Sequence, residues 1–275
     1  MQNAKCIEAR RVNKNLYLCD WNLCLAMNKY FKDRCSRRSF SNQEISEEKV
    51  RLMLQAAAKA PTTGNMQLYS VVLTRDQEKK RMLAPAHFSQ PAFMNAPLIL
   101  TFCADFNRFV KWCNLRNASP GYDNLQSIVA AVLDTVILAQ QFVTVAEMEG
   151  FGTCYLGTTS YNPDKIAEVL ELPERVLPII TVAMGYPEGE PVETDRLPLE
   201  AFLHSETYQK YSDKDIEKFY KEKENRADSK FFVAENAKEN LAQVFTDVRY
   251  PKSNNEHFSR ILADFVKKIW LDLDN

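Results

Sequence analysis

Arg34 and Arg38 bracket Ser36 in the stretch Arg34-Cys35-Ser36-Arg37-Arg38-Ser39-Phe40. Run as an extended strand, this stretch alternates faces, and Arg34, Ser36 and Arg38 share one of them. Two guanidinium forks beside a hydroxyl suit an anion with several oxygens, such as a phosphate. A solvated basic turn ahead of a helix has the same composition, and both readings stand at this point. A second polar concentration is Pro61-Thr62-Thr63-Gly64-Asn65-Met66-Gln67, a turn rich in side chains that hydrogen-bond. His87, His204 and His257 lie far apart and match no metal-ligand spacing, so no metal and no histidine catalyst is expected. No G-x-G-x-x-G follows a strand, and there is no Walker A sequence and no G-x-S-x-G elbow.

The elements that must position these residues come from a chain of 275 residues, 45% hydrophobic, with a net charge of -1. That length supports one sizeable core or two small domains. The near-neutral balance argues against a nucleic-acid footprint. Cys6, Cys19, Cys24, Cys35, Cys103, Cys113 and Cys154 are odd in number, scattered and never spaced C-x-x-C. They predict neither a disulfide framework nor a zinc site, and a reducing cytoplasm is the simplest setting. Residues 1–26 carry basic residues ahead of an apolar run that Asp20 and Asn22 interrupt, so they are read as a non-secretory extension. Residues 27–275 are expected to form a single domain with a helical C-terminal extension.

Ser46 caps a predicted helix from Glu47, which ends before Pro61. Strands are predicted over 68–74, 98–104, 153–156 and 177–184, and short helices over 77–83 and 163–170. Residues 87–97 read as irregular and 106–122 as a polar loop. The longest helix signal runs over 124–149 and is apolar nearly all round, which marks a helix buried on several sides. Asp134, Gln140 and Gln141 interrupt it, against a membrane span. Residues 210–228 are charged and predicted mobile, and apolar spacing over 258–270 predicts a final docking helix. Alternating strands and helices around one strong helix predict an α+β class.

Taken in order, these segments resemble the FMN-dependent nitroreductase family, and within it the NADPH-preferring nitroreductase/flavin reductase branch. The resemblance is carried by the 34–40 stretch, by Ala60 to Gln67, and by Phe102-Cys103-Ala104-Asp105-Phe106-Asn107-Arg108. It continues through Gly150-Phe151-Gly152-Thr153-Cys154-Tyr155-Leu156-Gly157, Val182 to Pro187, Arg196-Leu197-Pro198 and residues 243–258. It implies a nitroreductase-like sandwich, with a central, mostly antiparallel sheet flanked by helices and the long helix at a homodimer interface. FMN would lie between the subunits, with NADPH or NADH as co-substrate. By the same resemblance Arg34, Cys35 and Ser36 line the phosphate end, and Arg38 lies at the N1–C2=O edge of the flavin, where a cation stabilises the reduced ring. Pro61, Thr62, Thr63, Asn65 and Gln67 line the ring or ribityl chain, and Gln90 reaches the flavin. Leu156, Gly157 and Thr158 offer backbone groups to its N5–O4 edge, and Arg196 serves a phosphate. Cys35 and Ser160 depart from the branch, which carries basic residues at both places. Arg37 is expected to be solvated.

The implied activity is a two-step exchange. Hydride passes from NADPH to FMN N5, and electrons then pass to a nitroaromatic, quinone or flavin acceptor, with no side-chain catalyst required. The alternatives are a flavin-binding or regulatory protein with little turnover, and a specialised FMN enzyme of the same superfamily. The expected partners are a second copy of the chain and small electron acceptors, without nucleic acid or membrane.

Overall fold

The computed structural model describes residues 29–271. The predicted extension over 1–26 therefore lies outside the described residues. The chain divides into two units, 1–35 and 36–275. In the first, a short helix α1 (Lys29–Asp33) precedes Arg34 and Cys35.

The second unit begins with an extended segment and α2 (Glu47–Ala57), whose first turn is held by Ser46 Oγ accepting from the Lys49 amide. There follow β1 (Tyr69–Thr74), α3 (Gln77–Leu83), α4 (Pro91–Met94), β2 (Leu98–Asp105), α5 (Asn107–Leu115) and α6 (Leu125–Met148). Next come β3 (Gly152–Leu156), α7 (Pro163–Leu170) and β4 (Val176–Gly185). The C-terminal part holds α8 (Asp213–Asn225), α9 (Ala227–Glu235), α10 (Leu241–Gln243), a π-helical turn (Val244–Arg249) and α11 (Lys252–Ile269).

The four strands form one antiparallel sheet in the order β1-β2-β4-β3. Alternation along β2 and β4 gives the sheet two apolar faces. Leu98, Leu100, Phe102, Val182 and Met184 meet α2 and α6 on one face. Ile99, Cys154, Leu156 and Ala183 meet Leu83, Phe93 and Ile166 on the other. Each fully buried Leu, Ile or Phe contributes roughly 1.5–3 kcal/mol. The sandwich and its antiparallel sheet are those expected from the sequence.

Two predicted irregular stretches are corrected. Residues 106–122 contain α5, because the Asp105 carboxylate caps its start at the Arg108 amide and one face buries Val110 and Cys113. Residues 87–97 contain α4, started by Pro91. Within residues 210–228 lies α8, closed at its start by a reciprocal Ser212–Asp215 capping box. Chain-end contacts tie α11 to the body. Trp270 donates its indole N–H to the Tyr122 carbonyl at 3.0 Å, and Arg175 donates its amide to Ile269 O.

α6 has the length and hydropathy of a membrane span, with a mean hydropathy of 1.9 over its most apolar window. Its inner face is nevertheless core: Ile128, Ala131, Leu138, Ala139 and Phe142 are buried against the sheet and its neighbours. Its outer face leaves Leu125, Val129, Leu133, Val136 and Ile137 exposed.

Candidate functional site

The segment from Ser36 to Ser41 runs extended across the ends of β3 and β4. The Arg37 amide donates to Thr153 O, Ser41 to Tyr186 O, and Glu188 to Ser39 O, and Phe40 bridges Pro187. Two glycines permit this approach. A Cβ on Gly152 would stand 2.8 Å from Arg37 Cβ, and one on Gly185 would stand 2.7 Å from Phe40 Cβ. Ser36 is half-buried and Arg38 is exposed. The expectation for Arg37 is corrected. It is half-buried, and its guanidinium donates to the carbonyls of Glu188 and Gly189. Extended backbone turned it inward, and the loop carbonyls after β4 gave it acceptors. Arg34 and Cys35 belong to the N-terminal unit.

The turn from Thr62 to Gln67 precedes β1. Gly64, Asn65 and Gln67 have φ of 54°, 57° and 56°, so half of the turn is left-handed. Such backbone persists only where its surroundings enforce it. Pro61, Thr63, Asn65 and Gln67 are exposed along this turn, and Thr62 is half-buried. Arg108 clasps its far end by donating to the carbonyls of Gln67 and Tyr69.

Gln90, Gly157 and Thr158 come together at the other edge of the sheet. They line one cavity of about 460 Å³ with Phe88, Tyr161, Phe258 and Arg249. Leu156 is buried beneath, as the last residue of β3. The left-handed pair Phe88 and Ser89 turns the chain into Gln90. Tyr161 and Phe258 stack with centroids 4.6 Å apart, and Phe88 sets its edge against both. The Thr62–Gln67 turn thus belongs to the β1 edge and the α6 face, and the cavity to the β3 edge and the α3–α7 face. Two strands lie between them. Arg196 is exposed and folds onto its own loop, donating to Thr194 and to Asp195 O.

The profile of the nitroreductase family matches residues 31–186. The chain belongs to the nitroreductase family. Among its relatives, an FMN reductase [NAD(P)H] of Bacillus subtilis is 33% identical over 187 residues, covering 66% of this chain and 75% of the relative. The crystal structure of a candidate oxidoreductase from Bacteroides fragilis is similar with a TM-score of 0.85 and 49% identity, covering 87% of this chain and 97% of that one. The NfrA1 nitroreductase of Bacillus subtilis superposes with a TM-score of 0.76 at 26% identity, covering 87% and 96%.

Three residues of this nitroreductase-family chain carry structural roles that the sequence did not announce. Asp134, read as a polar interruption of α6, is buried, and its carboxylate holds the Thr62–Gln67 turn. Oδ1 accepts from the Thr63 amide at 2.8 Å and hydroxyl at 2.9 Å, and Oδ2 from the Leu68 amide at 3.2 Å. A lone acid inside an apolar helix was the available signal, since a buried carboxylate requires donors. His87 is fully buried, stacks on Phe93 at 4.6 Å, and meets Thr158 Oγ1 through Nδ1 at 2.9 Å. Burial pushes its imidazole down to about 4, so the ring is neutral. Arg249 ends the π-helical turn, a backbone irregularity frequent at functional sites. Its guanidinium lies 4.6 Å from the Phe232 centroid and 4.9 Å from that of Phe245, which fixes its direction. Tyr122 stacks on Phe106 with ring centroids 4.7 Å apart.

Proposed function

We propose that this chain is an FMN-dependent oxidoreductase that uses NADPH or NADH and reduces small electron-poor acceptors such as nitroaromatics, quinones or free flavin. Family membership supports the reaction class. The observation that carries the site is the cavity that unites Gln90, Gly157 and Thr158, with a left-handed turn, clamped from two sides, at the opposite edge of the same sheet.

The residues fit a flavin. The cavity has the size and make-up of small-molecule sites, with aromatic walls and a few converging polar groups. When bound, FMN accepts a hydride from the nicotinamide co-substrate and hands its electrons to the acceptor. The protein's part is to hold and to shield. Ser36 and Arg38 present a hydroxyl and a cation to the anionic parts of the cofactor; Arg34 and Cys35 precede them in the chain. Pro61, Thr62, Thr63, Asn65 and Gln67 line the ring and ribityl chain, and the Asp134 bonds keep them in place. Gln90, Leu156, Gly157 and Thr158 address the N5–O4 edge. Phe88, Tyr161 and Phe258 exclude water on one side. Arg249 faces that cavity with no carboxylate partner among the described residues, so it is better placed than Arg196 for a phosphate of the dinucleotide.

The working unit in this reading is a cytoplasmic homodimer. The outer stripe of α6 supplies an apolar face for a second copy, and the two clusters of candidate residues, at opposite edges of one sheet, meet across the two-fold axis. The decisive experiment is a visible spectrum of the purified protein supplied with FMN, recorded before and after anaerobic NADPH. A flavin band that bleaches, and returns when a quinone is added, is the expected result. A bound flavin that neither NADPH nor NADH bleaches overturns the reductase reading in favour of a flavin-binding protein.

A further inference from the structure

Thr158 Oγ1 has one hydrogen-bond partner among the described residues, His87 Nδ1. His87 Nε2 is buried with no partner. This asymmetry decides the tautomer. A neutral imidazole has one N–H and one lone pair. A proton on Nε2 would leave a buried N–H without an acceptor, which proteins tolerate less than an unused acceptor. The proton therefore sits on Nδ1, and Thr158 Oγ1 is the acceptor of that bond. Its own hydrogen must then point elsewhere. Thr158 lines the cavity shared with Gln90 and Gly157, and the cavity is the open direction.

We propose that His87 is a positioning residue that makes the Thr158 hydroxyl an oriented hydrogen-bond donor into the cavity, aimed at an acceptor atom on the edge of the bound flavin. The inference rests on the flavin reading above. Burial of the imidazole, the stack on Phe93 and the fixed Thr158 leave the pair one arrangement, so the donor is set before the ligand arrives. The same pair joins two separate segments, the turn leading to Gln90 and the Gly157–Ser160 turn, so the spacing of the cavity walls depends on it.

The test uses His87→Leu, His87→Asn, Thr158→Val and the His87→Leu/Thr158→Val double variant, each supplied with FMN. The side-chain amide of an asparagine places an N–H where Nδ1–H of His87 stood, so His87→Asn is the rescue variant. The readouts are the FMN dissociation constant, the position of the visible flavin band and the flavin reduction potential. Loss of one neutral hydrogen bond weakens FMN binding by about 3- to 10-fold. His87→Leu and Thr158→Val are expected to shift band and potential alike, the double variant to do no more than either, and His87→Asn to lie near the parent. Additive losses in the double variant, or His87→Asn as damaging as His87→Leu in a folded protein, overturn the proposal. So does Thr158→Val with parental affinity, band and potential, a result that stands even where His87→Leu does not fold. Failure of the parent protein to bind FMN overturns the underlying reading instead, and is seen before any variant is made.

Discussion

Replacing Asp134 tests whether the turn under the proposed flavin is held by one carboxylate. Leu68 is fully buried, so Asp134→Ala leaves its amide without an acceptor, at roughly 1–3 kcal/mol. The Thr63 amide and hydroxyl lie at an exposed residue and regain water, so each loses roughly 0.5–1.5 kcal/mol. The sum is roughly 2–6 kcal/mol. Against it stands the cost of left-handed backbone at Asn65 and Gln67, about 1–2 kcal/mol per residue. The two sides are comparable, so the turn leaves its present conformation when the carboxylate goes. The melting temperature is expected to fall by about 4–24 °C, taking about 2–4 °C per kcal/mol. FMN affinity falls at least tenfold, about 1.4 kcal/mol. Asp134→Asn is intermediate, because its carbonyl serves Thr63 while its NH2 faces the Leu68 amide. Calorimetry with and without FMN, with a flavin-quench titration, reads both quantities. An Asp134→Ala protein with parental melting temperature and parental FMN affinity refutes the reasoning.

His87 makes stability depend on pH. Its folded value of about 4 lies below the ordinary 6.5, and burial alone causes the shift. The unfolded chain binds the proton more readily, so this contribution is complete above about pH 6.5 and is lost as pH falls to about 4. It amounts to about 3 kcal/mol, and a melting-temperature profile that flattens in His87→Leu over that window checks it. Gly185→Ala forces a methyl within 2.8 Å of Pro97 Cδ and closer still to Phe40. Destabilisation of roughly 1–3 kcal/mol in urea unfolding is expected, together with faster proteolysis of the Ser36–Ser41 segment. Leu133→Lys puts a charge into the exposed stripe of α6, and light scattering after gel filtration is expected to report a monomer with parental circular dichroism.

The strands and α6 were legible because local pattern and tertiary role agree there: short, nearly continuous apolar runs for β2 and β4, and a long one for α6. Strand ends fell within a residue of expectation. α5 was not legible, because its polar exposed face dominates the composition while Phe106, Val110 and Cys113 do the packing. The site was legible as segments but not as an assembly. Periodicity places Ser36 and Arg38 on one side of a strand, yet nothing in the spacing tells that Arg37 would find two carbonyls about 150 residues away. Asp134 and His87 bond to partners 66 to 71 residues away, and a side chain's long-range partners are not written in its neighbours.

The separation of the two clusters has a genetic consequence. If each chain supplies the Thr62–Gln67 turn to one flavin and the Gly157–Thr158 turn to the other, a lesion in either turn damages both sites of a pure dimer, one turn per site. A mixed dimer behaves differently. Pairing a chain defective in the first turn with a chain defective in the second gathers both lesions in one site and leaves the other intact. Two inactive proteins, unfolded together and refolded, then regain a statistical quarter of the parental activity: half of the dimers are mixed, and each of these has one good site of two. A single chain that kept both turns at its own flavin gives no such recovery.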